Sequence, residues 1–124
     1  MKQALLVFLG GGLGSMLRYL ISKPLNLLHD HFYFGTFTVN ILGCLLIGVI
    51  MGLASKNQMV SQQSILFFAT GLCGGFTTFS AFAFEKHAFL KSGEFLPFLL
   101  YLSSSIFLGI LAVALGTWLV RFMD

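Results

Sequence analysis

Four long apolar segments constrain this chain more than any other feature. They cover about residues 3–22, 34–54, 64–89 and 95–120. Each is long enough to cross a hydrocarbon core of roughly 30 Å at about 1.5 Å per helical residue. Hydrophobic residues make up 57% of the 124 and charged residues only 9%, which leaves too little polar sequence to cover a water-exposed surface. We expect residues 1–124 to form a single all-α integral membrane domain of four transmembrane helices, surrounded by lipid.

The charged, cysteine and histidine residues indicate neither nucleic-acid binding nor a metal site. The seven Lys and Arg residues, in a chain of formal charge +3, are scattered near segment ends and form no stripe that would bind nucleic acid. Cys44 and Cys73 lie inside apolar segments, where a buried thiol is more common than a disulfide or a metal ligand. His29, Asp30 and His31 are adjacent on a connecting loop and make a poor ligand set.

The third segment is interrupted by GLCGGFTTFSAF, residues 71–82. Glycines weaken a helix, and hydroxyl side chains in a lipid setting need partners. We expect two half-helices with a break between Gly74 and Thr78, and we expect the unwound part to span residues 71–77. Such a break either serves glycine-mediated packing or lines an aqueous or ionic pathway, and this stretch alone does not decide between them.

The first segment carries GGGLGSMLRY, residues 10–19. Small residues let helix backbones approach closely in lipid, so the run most simply marks a packing face. Arg18 lies about one turn from the predicted end, where its side chain either reaches the interface or lines a water-filled mouth. Lys23 and Pro24 are expected to close this helix.

Polar and aromatic residues at helical spacing lie in the other segments. Asn40 at bilayer depth is either a link between helices or a donor lining a pore, and composition favours the link. Phe79 and Phe82 are three apart and share a face, as do Tyr101 and Ser105, four apart. Phenylalanine is ordinary filler in a chain with fifteen of them. Spacing alone therefore does not assign Phe79 and Phe82 to a pore, and only their occurrence together with other motifs in the chain favours that role.

Basic residues divide almost evenly between the two membrane faces. Four spans put both termini on one side, with three basic residues there and four opposite: Lys2, Lys56 and Arg121 against Arg18, Lys23, Lys86 and Lys91. This split gives almost no positive-inside bias. We hypothesise that both orientations insert and that the working unit is an antiparallel homodimer.

Three motifs, GGGLGSMLRY, GTFTVNILG (residues 35–43) and GLCGGFTTFSAF, occur in that order. Together they closely resemble the Fluc (CrcB-type) fluoride channel family over essentially the whole chain. The resemblance implies a dual-topology antiparallel homodimer with two fluoride pores. It would let cytoplasmic fluoride leave passively across the bacterial plasma (inner) membrane, as a multi-pass channel and not an enzyme.

The resemblance also implies roles for individual residues. Backbone carbonyls of Gly74 and Thr77 from each subunit would hold a structural Na⁺ at the two-fold axis. Arg18 would be the vestibule arginine. The implied pore residues are Asn40, Thr78, Phe79, Ser80, Phe82, Tyr101 and Ser105.

Two positions depart from the family pattern. Ala81 stands where Ser or Thr is common, and Gly109 where the polar track of some relatives continues with Ser. The missing hydroxyls are either dispensable or replaced by other groups in this chain. A change in fluoride conduction relative to family members that have these hydroxyls is a separate expectation.

Three other functions compete with the channel. A small dual-topology exporter of cationic drugs needs a carboxylate embedded in the membrane, usually in the first span, and that span has none. Glu85, near the far end of the third segment, is the only acid close to the bilayer. A membrane enzyme lacks a nucleophile and base pair, since His29, His31 and His87 lie near segment ends. A non-conducting assembly subunit would explain the packing glycines but explains the buried Asn and Thr residues less well.

Overall fold

The computed structural model describes residues 1–27, 32–56 and 60–122. Its helices are α1 (Lys2–Asn26), α2 (Phe34–Lys56), α3 (Gln62–Ile65), a π-helical stretch (Leu66–Cys73), α4 (Gly74–Phe76), α5 (Phe79–Lys91) and α6 (Phe95–Val120). Grouping the elements from Gln62 to Lys91 as the third span gives four spans long and apolar enough to cross a membrane. The prediction of an all-α chain with four helices able to cross a membrane is confirmed for the described residues. The predicted His29, Asp30 and His31 cluster lies outside the described residues.

Helix α1 is longer than predicted, because Pro24 lies inside it and does not end it. The helix continues to Asn26, whose side chain holds its last turn against the start of α2. The Asn26 Oδ1 atom accepts hydrogen bonds from the backbone N–H groups of Gly35 at 2.7 Å and Thr36 at 3.3 Å. These bonds satisfy two of the free N–H groups at the start of α2.

Close helix packing depends on glycines at specific positions. Helix α1 packs on the π-helical stretch and α4, α2 packs along α6, and α5 packs on α6. A Cβ atom at Gly14 would overlap the carbonyl oxygen of Leu72, and one at Gly116 would overlap that of Leu45. Gly12, in contrast, is exposed and faces open space. The predicted packing face of α1 is therefore present, but Gly12 is not part of it.

The third span is broken at Thr77 and Thr78. Both have extended backbones, with φ −84° and ψ 159° at Thr77 and φ −147° and ψ 113° at Thr78. The predicted break is confirmed, but the expectation that it spans residues 71–77 is wrong, since residues 71–76 are helical. The glycines there serve packing: a Cβ at Gly75 would overlap the backbone of α1.

Candidate functional site at the helix break

A groove of about 490 Å³ opens beside the break. Its walls come from α2, the third span and α6, and most of its surface is apolar. It brings together seven of the residues predicted from sequence: Asn40, Gly74, Thr77, Thr78, Phe79, Phe82 and Ser105. Residues far apart in the chain thus meet where the third span loses its helical hydrogen bonds.

Asn40 of α2 holds the broken backbone in place. Its Oδ1 atom accepts from the Thr78 N–H at 2.8 Å, and its Nδ2 atom donates to the Thr78 carbonyl oxygen at 3.2 Å. Gly43, one turn further along α2, has no side chain, and a Cβ there would overlap the methyl group of Thr77. Helix α2 therefore supplies both the polar partner and the space that the extended backbone needs.

The break removes the usual helical donors from two carbonyl groups. In a continuous helix the Thr78 N–H would donate to the Gly74 carbonyl, four residues earlier; here it donates to Asn40. The Ala81 N–H would likewise donate to the Thr77 carbonyl, but it donates to the Thr78 hydroxyl at 3.2 Å. The carbonyls of Gly74 and Thr77 are the two predicted sodium ligands, and both are left without their regular helical donor.

The two predicted pore phenylalanines share the groove wall on α5. Their ring centroids are 6.0 Å apart with an interplanar angle of 35°. The side chain of Phe79 is 81% exposed. Phe82 stacks on Tyr101 of α6, with ring centroids 5.9 Å apart. The hydroxyl of Ser105 is buried and has no hydrogen-bond partner within the described part of the chain.

Three predicted site residues lie outside the groove. Ser80 is exposed, and its hydroxyl contacts that of Thr78 at 3.3 Å. Arg18 lies eight residues before the end of α1 at Asn26, and its Nε donates to the Gly75 carbonyl at 3.1 Å. Tyr101 is fully buried, and its hydroxyl lies 3.1 Å from the Tyr33 carbonyl oxygen. Their roles in conduction stay predictions.

Helix α5 carries two buried charged residues that were not predicted from the sequence. Glu85 and Lys86 are predicted from the sequence to lie near the far interface, but they are only 5% and 6% exposed. The Glu85 carboxylate accepts from the Thr36 hydroxyl, and from the Tyr101 hydroxyl at 3.3 Å. Lys86 lies among aromatic rings. The signal that could have found them is an ionisable residue inside a membrane-spanning segment, which rarely faces lipid.

The chain is similar to known proteins along nearly its whole length. Residues 5–117 match the family described as "CrcB-like protein, Camphor Resistance (CrcB)". A protein of Gloeothece citriformis named "Fluoride-specific ion channel FluC" is 47% identical over 98% of each chain. A protein of the same name from Phocaeicola vulgatus is 49% identical over 96% of this chain and 98% of its own. A third, from Flavobacterium psychrophilum, is 47% identical over 94% of each.

Proposed function

The chain belongs to the CrcB-like family, and on that basis we propose that it is a fluoride-selective channel through which cytoplasmic fluoride leaves passively. One observation carries the proposal beyond the family name: the groove at the break gathers an amide, two aromatic rings and a buried hydroxyl from three helices, and this hydroxyl has no partner among the described residues. Its described wall residues include no acid or base.

The groove chemistry suits a small anion that must bind and leave again. Aromatic rings have a positive edge, so Phe79 and Phe82 can attract an anion without a full charge that would trap it. The amide of Asn40 has two N–H donors, and its bond to Thr78 uses one of them. The Ser105 hydroxyl is a further donor. These groups would replace part of the water that fluoride loses on entering.

We propose that two copies assemble as an antiparallel homodimer of dual topology, with two pores. Phe79 and Gly74 are exposed in the single chain although both line the groove, and a Cβ at Gly74 would meet nothing within 4 Å. A second copy would cover this open side. Because Lys86 is buried in the bundle, the remaining basic residues divide three against three, which favours neither orientation.

We also propose that a structural Na⁺ lies at the two-fold axis of this dimer. The carbonyl oxygens of Gly74 and Thr77 fit a hard monovalent cation, since the break has removed their usual helical donors. Two subunits would supply four such oxygens. When bound, the ion would compensate the carbonyl dipoles and join the subunits. Because it would bridge both chains, its role is structural and it is not transported.

Anion efflux from liposomes that contain only the purified protein tests the channel. We expect fluoride release without comparable chloride release, at a rate unchanged when a proton gradient is collapsed. Release of neither anion from liposomes with verified protein content would contradict the channel. Uptake of a cationic dye that requires the proton gradient would instead indicate the exporter.

A further inference from the structure

Lys86 is a buried cation on α5 that is not among the proposed pore residues. Its side chain is 6% exposed, and its Nζ has no hydrogen-bond partner in the part of the chain that the structure describes. An ammonium group carries three N–H donors. Removing it from water without an acceptor is costly, so such groups are rare unless something compensates the charge.

Aromatic rings supply part of that compensation. The Nζ atom lies over three rings, at 3.1 Å from the centroid of Tyr101, 4.7 Å from Phe89 and 5.3 Å from Phe82. The ring faces are negative and attract the cation. The neighbouring Glu85 carboxylate attracts the ammonium but is not its hydrogen-bond partner, since the Lys86 Nζ makes no hydrogen bond within the described residues. The hydroxyls of Thr36 and Tyr101 donate to the two Glu85 oxygens.

The position of Lys86 on α5 continues the line of the pore phenylalanines. Phe79, Phe82, Lys86 and Phe89 follow one another at intervals of three or four residues, so they share a helix face. Glu85 is turned by about 100° from Lys86 around the helix. Phe82 therefore has the groove at one side and the ammonium over its ring.

A cation over a ring face draws electron density towards that face, which makes the ring edge more positive. An anion that approaches the edge of Phe82 from the groove also experiences the positive charge directly, through an interior of low dielectric constant. Building on the proposed fluoride pathway, we propose that Lys86 is a positioning residue that raises the affinity of the groove for a small anion, acting through Phe82 and Tyr101.

If Lys86 has this role, its charge should change the affinity for fluoride without changing the maximal fluoride flux in parallel. A fixed charge that holds the anion tightly lowers the fluoride concentration at half-saturation, while it does not speed the anion's departure. Replacing Lys86 by Met keeps the length and apolar stem of the side chain and removes the charge. We expect Lys86→Met to raise the half-saturating fluoride concentration by roughly tenfold, the order that a charge several ångström away gives at intermediate dielectric constant, with no parallel loss of saturating flux.

The measurements are fluoride efflux over a range of fluoride concentrations and calorimetric fluoride binding to the detergent-solubilised protein. Lys91→Met is the matched control, because it removes an exposed charge from the last turn of the same helix, and we expect wild-type affinity. Lys86→Gln provides a second uncharged variant should the Met variant fail to assemble. An unchanged half-saturation in an assembled uncharged variant, or a fall in flux alone, would overturn the inference. Absence of fluoride binding and flux in the wild type would instead overturn the proposed channel.

Discussion

Asn40 and Thr78 form two hydrogen bonds across the break in the third span, one in each direction between the Asn40 amide and the Thr78 backbone. The Asn40 Oδ1 atom thus takes the place of the helical acceptor that the Thr78 N–H has lost. Because the same amide lines the groove, the residue that holds the break open also faces the proposed path of the anion. The structural and functional interpretations of Asn40 are therefore compatible.

Replacing Asn40 by Leu, which is similar in size, is expected to destabilise the protein by about 1 to 3 kcal/mol. The change leaves the Thr78 N–H without a partner, and a buried unsatisfied donor costs about 1 to 3 kcal/mol. The Thr78 carbonyl loses the Asn40 donor but, as the N-cap carbonyl of α5, still accepts from the first turn of that helix. Thermal unfolding in detergent measures the loss, and fluoride efflux should fall with it. Cys44→Ala is the control, since Cys44 lines the groove from the same helix without bracing the break. Wild-type stability in Asn40→Leu would contradict the bracing role.

Two glycines of α1 are expected to respond in opposite directions to the same change. Gly14→Ala forces a methyl group into the Leu72 carbonyl, and overpacking of this kind costs about 1 to 3 kcal/mol. Gly12→Ala meets nothing within 4 Å and should be neutral or stabilising by up to about 1 kcal/mol, since alanine favours helix. Comparing the two unfolding temperatures tests this. Equal destabilisation by both changes would count against the packing arrangement.

The four spans and the break could be predicted because they depend on local properties. Apolar length determines whether a segment can cross the membrane, and glycines beside hydroxyl residues weaken a helix wherever they occur. The burial of Glu85 could not be predicted in the same way. Its partners Tyr101 and Thr36 are 16 and 49 positions away, and position along a helix does not reveal which neighbouring helix covers a given face.

The residues of the candidate site could likewise be predicted only where local helical spacing determines their position. Helical spacing correctly placed Phe79 and Phe82 on one wall, but the spacing of Tyr101 and Ser105 gave no sign that only Ser105 reaches the groove. Tyr101 is drawn to the carboxylate of Glu85 and to the Tyr33 carbonyl. The end of α1 was missed for a related reason, because the stabilising contact comes from the backbone of α2.

Tyr101→Phe is expected to destabilise the protein by about 1 to 2 kcal/mol, the value of a buried hydrogen bond to a charged or carbonyl acceptor. The ring and its stacking on Phe82 remain, while the hydroxyl that reaches Glu85 and Tyr33 is lost. Tyr33→Phe is the matched control, because Tyr33 accepts that bond through its backbone. Chemical or thermal unfolding of the two variants should differ; the same stability in both would exclude a special contribution from the Tyr101 hydroxyl.

Phe79→Ile and Phe82→Ile are each expected to slow fluoride efflux by roughly tenfold or more, a change of about 1.4 kcal/mol in the barrier. Isoleucine preserves apolar bulk but has no positive ring edge. Phe84→Ile is the control, since Phe84 is exposed on the same helix and does not line the groove. Size-exclusion chromatography checks that assembly is intact. Efflux equal to that of the control would remove these two rings from the pathway.

Removal of sodium is expected to weaken both the assembled protein and its fluoride efflux. The carbonyls of Gly74 and Thr77 lack their regular helical donors, so the proposed dimer should lose the compensation of these carbonyls when Na⁺ is replaced by a large organic cation. The unfolding temperature should then rise with sodium concentration. Each tenfold increase in sodium above its dissociation constant is expected to raise the free energy of unfolding by about 1.4 kcal/mol. Efflux is measured with potassium and its ionophore held constant, so that counter-ion movement does not limit the rate. Full stability and full efflux in rigorously sodium-free buffer would contradict the sodium site and leave the fluoride pathway itself unaffected.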